Sequence, residues 1–275
     1  MKFGLFSMNT GSCSYPEAAI QIAQAAESAG FESLWVSDHI VFPDPPIARF
    51  PTPPESRLIE PLTMLTFLAG HTQQVKLGTG VIVLPQRNPL VLAKQVASVD
   101  ELTKGRLIFG FGVGHLEPEF EAIGIPFNER GARTDEYLSA MLSLWSDAKP
   151  AYQGNHVSFA NVQAHPQREI PLVVGGYAPA ALRRTVQRAH GWYGFARGLE
   201  ATKQSLAGLR KAATEVERPA HLGELEISVS PPRGKIDRQT IQSYADLGVH
   251  RLILIPPTED LAERISFVRE VAELF

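Results

Sequence analysis

Eight times along this chain a short aliphatic or β-branched run is followed by a longer segment with helical spacing of apolar residues. No other feature restricts the fold as much. The runs are Lys2–Met8, Ser33–Ser37, Val75–Leu84, Arg106–Val113, Ile170–Val174, Trp192–Ala196, Leu225–Ser230 and Arg251–Ile255. The helical segments are Tyr15–Ala29, Pro61–Thr72, Pro89–Thr103, Arg130–Trp145, Pro179–Ala189, Thr202–Glu215, Ile236–Leu247 and Glu259–Leu274. The first of these shows the punctuation expected of a helix, with Pro16 in its first turn and Gly30 just past its end. Strands that read as unbroken apolar runs are buried on both faces, which favours a parallel sheet wrapped by helices. Eight such pairs in 275 residues match the typical length of an α/β protein with one (β/α)8 TIM barrel; an open doubly wound sheet is the alternative. Nothing in the composition marks a linker, so residues 1–275 are expected to form one domain.

Bulk composition removes several functional classes. With 44% hydrophobic and 20% charged residues the chain can fill a large core and carries no disorder signature. A formal net charge of −3 leaves no basic excess for a nucleic acid or an anionic membrane. One cysteine, Cys13, permits neither an internal disulfide nor a cysteine-based zinc site. The first residues lack the shape of a secretory leader, and the most apolar stretches are too short to span a bilayer. A soluble, cytoplasmic protein is expected.

In a barrel of this kind the chemistry belongs at the C-terminal ends of the strands. Here those ends carry Met8 and Asn9, Asp38 and His39, Gly80 and Val81, Gly112 to His115, Gly175 to Tyr177, Phe195 to Arg197, Ser230 and Ile255. They lack the cluster of His, Asp and Glu that a metal-dependent hydrolase needs, so no metal is expected. They also lack a terminal Lys for a Schiff base and a Gly-x-Ser-x-Gly elbow. What remains is rich in backbone surface and suits a large planar cofactor. Gly175 and Gly176 precede the helix that begins near Pro179, where free amides favour an anion and glycine lets it approach; a plain tight turn is the other reading. Gly110, Gly112 and Gly114 alternate along one strand face and open room either for a ligand or for close packing. The remaining histidines, His71, His156, His165, His190, His221 and His250, lie on helices or connections and read as surface or internally satisfied groups. Arg183, Arg184 and Arg188 read as a solvated helix face. Two connections are long, Ile40 to Glu60, which carries six prolines, and Asp147 to Glu169. The first follows a strand, so it belongs at the active-site end as a stiff wall or lid.

Several segments resemble the luciferase-like flavin monooxygenase superfamily, and within it the coenzyme F420-dependent oxidoreductases. They are Gly30 to His39, Leu77 to Pro85, Asn88 to Gln95, Gly105 to Gly114, Glu129 to Glu136 and Pro171 to Gly176. The resemblance implies that Asp38 and His39 contact the reactive ring, with His39 as the catalytic proton donor or acceptor. It implies that Gly80 and Val81 form a bulge backing the ring, often through a non-prolyl cis peptide. Gly114 and His115 match further ring contacts, and Gly175, Gly176 and Tyr177 match the phosphate site. This sequence departs from the sugar-phosphate dehydrogenase branch, where a Trp follows the Asp-His pair and a Glu stands in place of His115. Pro43 occupies roughly the Trp position, so no substrate is carried over.

The expected activity is hydride transfer between coenzyme F420 and a small organic substrate. His39 would manage the proton because an imidazole titrates near neutrality, and Asp38 would orient the imidazole or accept from the ring. An FMN-dependent monooxygenase using O2 and a non-catalytic flavin-binding barrel are the alternatives. Relatives are often homodimers.

Overall fold

A computed structural model describes residues 1–275. Eight parallel strands close into the expected barrel: β1 (Lys2–Leu5), β2 (Ser33–Val36), β3 (Lys76–Thr79), β5 (Leu107–Gly112), β8 (Leu172–Gly175), β9 (Gly191–Gly194), β10 (Glu226–Val229) and β11 (Arg251–Leu254). Each pairs with its neighbours, and the β1–β11 and β3–β5 ladders join what an open sheet would leave as edges. The helices α1 (Pro16–Ser28), α2 (Pro61–Ala69), α3 (Pro89–Leu102), α5 (Arg130–Ser146), α6 (Pro179–Arg188), α7 (Leu199–Glu215), α8 (Arg238–Asp246) and α9 (Leu261–Ala272) surround it. Their starts follow from local chemistry. Asn88 accepts from the Leu90 and Val91 amides ahead of α3, Asp237 caps α8 and Asp260 caps α9, while Pro opens α1, α2, α3 and α6. No helix is long and apolar enough to cross a membrane.

The apolar material divides into two layers. A cluster of 51 buried residues lies between the helices and the outward faces of the strands. A cluster of seven, Phe6, Trp35, Ile108, Val173, Tyr193, Ile253 and Ile255, fills the barrel interior. Trp35 dominates that interior, stacking on Tyr193 at 5.7 Å and donating from its indole nitrogen to Ser33 Oγ at 2.8 Å. A Cβ on Gly78 would stand 2.6 Å from the indole, so the small residue is what admits the large one. The interior is packed, and any ligand must sit above it at the mouth.

Four expectations change in the structure. The third apolar run, read as one strand from Val75 to Leu84, is broken into β3 and β4 (Ile82–Val83) by a cis Gly80–Val81 peptide, and both pieces pair with β5. The Asp147–Glu169 connection holds a small antiparallel hairpin, β6 (Tyr152–Gln153) with β7 (Ser158–Phe159), pinned by Glu136, which accepts from the Asn155 and His156 amides. A short helix absent from the sequence reading, α4 (Glu117–Ala122), follows β5. Of the arginine cluster, Arg183 keeps 41% of its side chain exposed, but Arg184 is not on a solvated face. Arg184 is 6% exposed and grips Asp135 through two nitrogens at 2.6 and 2.9 Å, locking α6 to α5. His190 and His250 are internally satisfied as expected, their Nδ1 atoms accepting from the Leu172 and Ile227 amides.

Candidate functional site

The alternating glycines of the upper wall serve close packing, one of the two readings their spacing leaves open. A Cβ on Gly110 would lie 1.9 Å from the Thr79 carbonyl oxygen, and those on Gly112 and Gly175 would lie 3.0 Å from Val81 methyls. At Gly114, φ is +76° and a Cβ would meet Val83 at 2.6 Å and Phe120 at 2.8 Å. Four glycines therefore make room for the Gly80–Val81 bulge and its flanks, with Val81 projecting against the inner cluster. Close packing is the correct reading of that alternation. Thr79 holds the kink in place, its hydroxyl donating to the Gly110 carbonyl at 2.7 Å and accepting from the Gly110 amide at 2.8 Å.

Strand β2 ends at Val36, so Asp38 and His39 lie beyond the pleat and point apart. Asp38 is buried. Its Oδ2 accepts from the Val83 amide at 2.8 Å and from Arg87 at 2.6 Å, and its Oδ1 accepts from Arg87 at 2.8 Å. A carboxylate so engaged ties the β2 end to the β4 segment and does not orient His39, contrary to one expectation. That task falls to Glu119 of α4. Its Oε2 lies 3.4 Å from His39 Nδ1, and its Oε1 accepts from the Ile40 amide at 2.5 Å. Burial alone would push the Glu119 carboxyl up, but the contacts from His39 and Ile40 hold it below its ordinary range.

The proline-rich loop does lie over the strand ends. Phe42 and Phe50 stack on each other at 5.9 Å and stand 5.6 and 4.8 Å from the His39 ring. His115 joins the group 6.4 Å from His39 and 6.3 Å from Phe50. Burial, followed by the neighbouring His39 and Arg49, lowers the pKa of His115. The loop is moored at its far end by buried Asn9, whose amide nitrogen donates to the Ser37 and Ile59 carbonyls at 2.8 and 2.7 Å. The result is a half-buried imidazole walled by aromatic rings.

Across the mouth, Gly175, Gly176 and Tyr177 lead into α6. Gly176 adopts φ +121°, which glycine alone takes readily, and its carbonyl accepts from the Trp192 indole at 2.9 Å. The N-cap residue, Ala178, has no side chain to satisfy the first-turn amides of α6. Tyr177 donates to the Phe195 carbonyl at 2.5 Å, and the Arg197 guanidinium lies 3.9 Å over the tyrosine ring. Arg197 lies three residues past β9, in the Phe195–Arg197 strand end that the sequence indicates, where no role was assigned to it. Its Nη2 donates to Ser205 at 3.2 Å, while its buried Nε has no partner. An anion at this corner would meet unpaired amides, bare backbone and a fixed guanidinium. The residues present therefore fit the phosphate-bearing tail of a flavin-type cofactor. No three His, Cys, Asp or Glu side chains converge as a metal site.

The closed parallel barrel, with its kinked third strand, thus carries His39 and the uncapped start of α6 at one mouth. Residues 1–272 match the family model for luciferase-like monooxygenases, and the chain belongs to that family. It is 31% identical over 183 residues to an uncharacterized protein of Mycobacterium tuberculosis, a match covering 63% of this chain and 63% of that one. It is 28% identical over 198 residues to the 5,10-methylenetetrahydromethanopterin reductase of Methanolobus tindarius, covering 70% of this chain and 56% of the reductase. Among solved structures, a monooxygenase from Streptomyces bottropensis superposes with a TM-score of 0.80 at 20% identity over 100% of this chain and 98% of that one. An F420-dependent secondary alcohol dehydrogenase with an F420–acetone adduct superposes with a TM-score of 0.79 at 17% identity over 98% and 97%. At such identities these two likenesses report the fold.

Proposed function

We propose that the upper rim binds coenzyme F420 and serves hydride transfer to or from a small, largely apolar organic substrate. The observation that carries this reading is the pairing, on one rim, of an anion-ready corner with an imidazole walled by aromatic rings. Gly175, Gly176, Tyr177 and Arg197 would hold the tail, and the bulge at Gly80 and Val81 would back the ring, with Gly114 beside it. Asp38, held by Arg87, keeps that bulge and the His39 backbone in register. His39 and His115 bound the substrate space, and Phe42 and Phe50 exclude water from it. His39 handles the proton, since it alone of the two is held by a carboxylate. Bound there, a deazaflavin supplies a carbon centre that carries a hydride, whereas FMN supplies a nitrogen centre whose reduced ring reacts with oxygen. The F420-dependent dehydrogenase neighbour favours the former, and the monooxygenase neighbour keeps the latter as the second reading.

Titration of the purified protein with F420 and, separately, with FMN, followed by ring fluorescence, distinguishes the two. Tighter binding of F420, with anaerobic reduction of the bound ring by a panel of small alcohols, is expected. Preferential FMN binding with substrate-dependent oxygen uptake would replace the hydride-carrier reading with monooxygenation. A ring that binds but is never turned over would make the protein a flavin carrier.

A further inference from the structure

The imidazole of His39 is met by few groups. Glu119 approaches from α4, His115 from the segment after β5, and Phe42 and Phe50 from the proline-rich loop; Arg49 stands beyond, near His115. Asp38, its neighbour in sequence, is fully committed to Arg87 and Val83. Glu119 is therefore the one carboxylate that touches the ring, and only 2% of its side chain is exposed. Its two oxygens divide the work. Oε1 accepts from the Ile40 amide, a donor with no choice of role, and Oε2 faces His39 Nδ1. A carboxylate is acceptor-only, so Nδ1 must be the protonated nitrogen.

We infer that Glu119 is a positioning residue that fixes neutral His39 as the Nδ1–H tautomer, leaving Nε2 as a free lone pair. A histidine so held is a proton acceptor. When a substrate hydroxyl gives up its proton, the O–H bond breaks, the N–H bond forms at Nε2, and the electron pair stays on oxygen. The same carboxylate clamps the first residue of the proline-rich loop, so the tautomer and the position of the loop are set by one group. Consequences for turnover rest on the redox reading above; the tautomer does not.

An isosteric change separates the tautomer from mere packing. In Glu119→Gln the amide oxygen must still accept from the Ile40 N–H, which turns the NH2 group toward His39 Nδ1. That nitrogen becomes the acceptor, and the imidazole proton moves to Nε2. The probe is the 15N spectrum of the histidine rings in the protein without added cofactor, at a pH where the imidazole is neutral, with the His39 resonance assigned by its loss in His39→Gln. The wild-type ring is expected to carry its proton on Nδ1 and the Glu119→Gln ring on Nε2. The same tautomer in both proteins, or Nε2–H in the wild type, would overturn the inference. Should Glu119→Gln not fold, the wild-type spectrum alone decides. In the turnover assay the variant is expected to lose about 100-fold in kcat with KM little changed, the signature of a base presented in the wrong tautomer. If no substrate turns over at all, the spectrum still tests Glu119 while the redox reading fails separately.

Discussion

The two rims of this barrel are built on opposite principles. At the lower rim a girdle of opposite charges closes on itself. Arg251, fully buried, donates to both oxygens of Glu32 at 2.8 Å and to Glu226 and Ser228 at 3.0 Å, and Lys2 and Lys76 pair with the same two carboxylates. The upper rim has loose ends: an unpartnered Arg197 Nε and an uncapped α6 amide end. Buried polar groups are normally satisfied, so the open groups around the α6 entrance mark the rim that would take a ligand, whereas the Arg251 girdle braces the other.

That contrast is open to attack from both sides. The largest effect is expected at the lower rim. Arg251→Ala leaves Glu32 and Glu226 without the buried cation that bridges them, each keeping only an exposed lysine, and should cost about 4 kcal/mol, read from the denaturant midpoint. An unchanged midpoint would remove the stabilising role of the girdle. The next test is acid. Burial pushes the Glu32 carboxyl up, but the hydrogen bonds and charge of Arg251 outweigh it and bring it from an ordinary 4.5 down to about 2. Because the folded-state value is depressed, its contribution is complete above pH 4.5 and drains away as pH falls from 4.5 toward 2. That contribution is at most about 3 kcal/mol, since the carboxylate is partly exposed and screened. Glu32→Gln should flatten the acid limb of a stability–pH curve, and an identical curve in the variant would count against the assignment.

Upper-rim changes should move activity and spare the fold. His39→Ala is expected to lower kcat by about 100-fold with the unfolding midpoint unchanged. A large loss of stability would mean that the imidazole belongs to the structure. Smallest is Arg197→Ala, expected to weaken cofactor binding about tenfold through the loss of one charge-assisted contact. Equal affinity in variant and wild type would move the tail elsewhere.

How legible each rim was in the sequence follows from the same division. Strands and helices were readable because apolar runs and caps such as Asn88 with Pro89 act locally. The kink at Gly80 and Val81 could be placed only through the family resemblance. Spacing alone left Gly110 and Gly112 open between ligand room and close packing, because what fills their space is Thr79 and Val81, from a different strand, and spacing within one strand is blind to that. Glu119 escaped notice for a similar reason. The run Glu117-Pro118-Glu119 ahead of Phe120 carries the proline and acidic residues of a helix start, which was readable, but its contact with His39 spans 80 positions of chain. Arg184 looked solvated until Asp135 on the adjacent helix stood opposite it.

The claim on which the rest depends is that the upper rim holds a flavin-type ring with its anionic tail at the α6 entrance. A crystal structure of the protein grown with F420 measures this directly. The phosphate is expected against the amides after Gly176 and beside Arg197, with the ring between the Gly80–Val81 bulge and His39. A ring bound anywhere else, or density showing that corner filled by protein side chains, would contradict it.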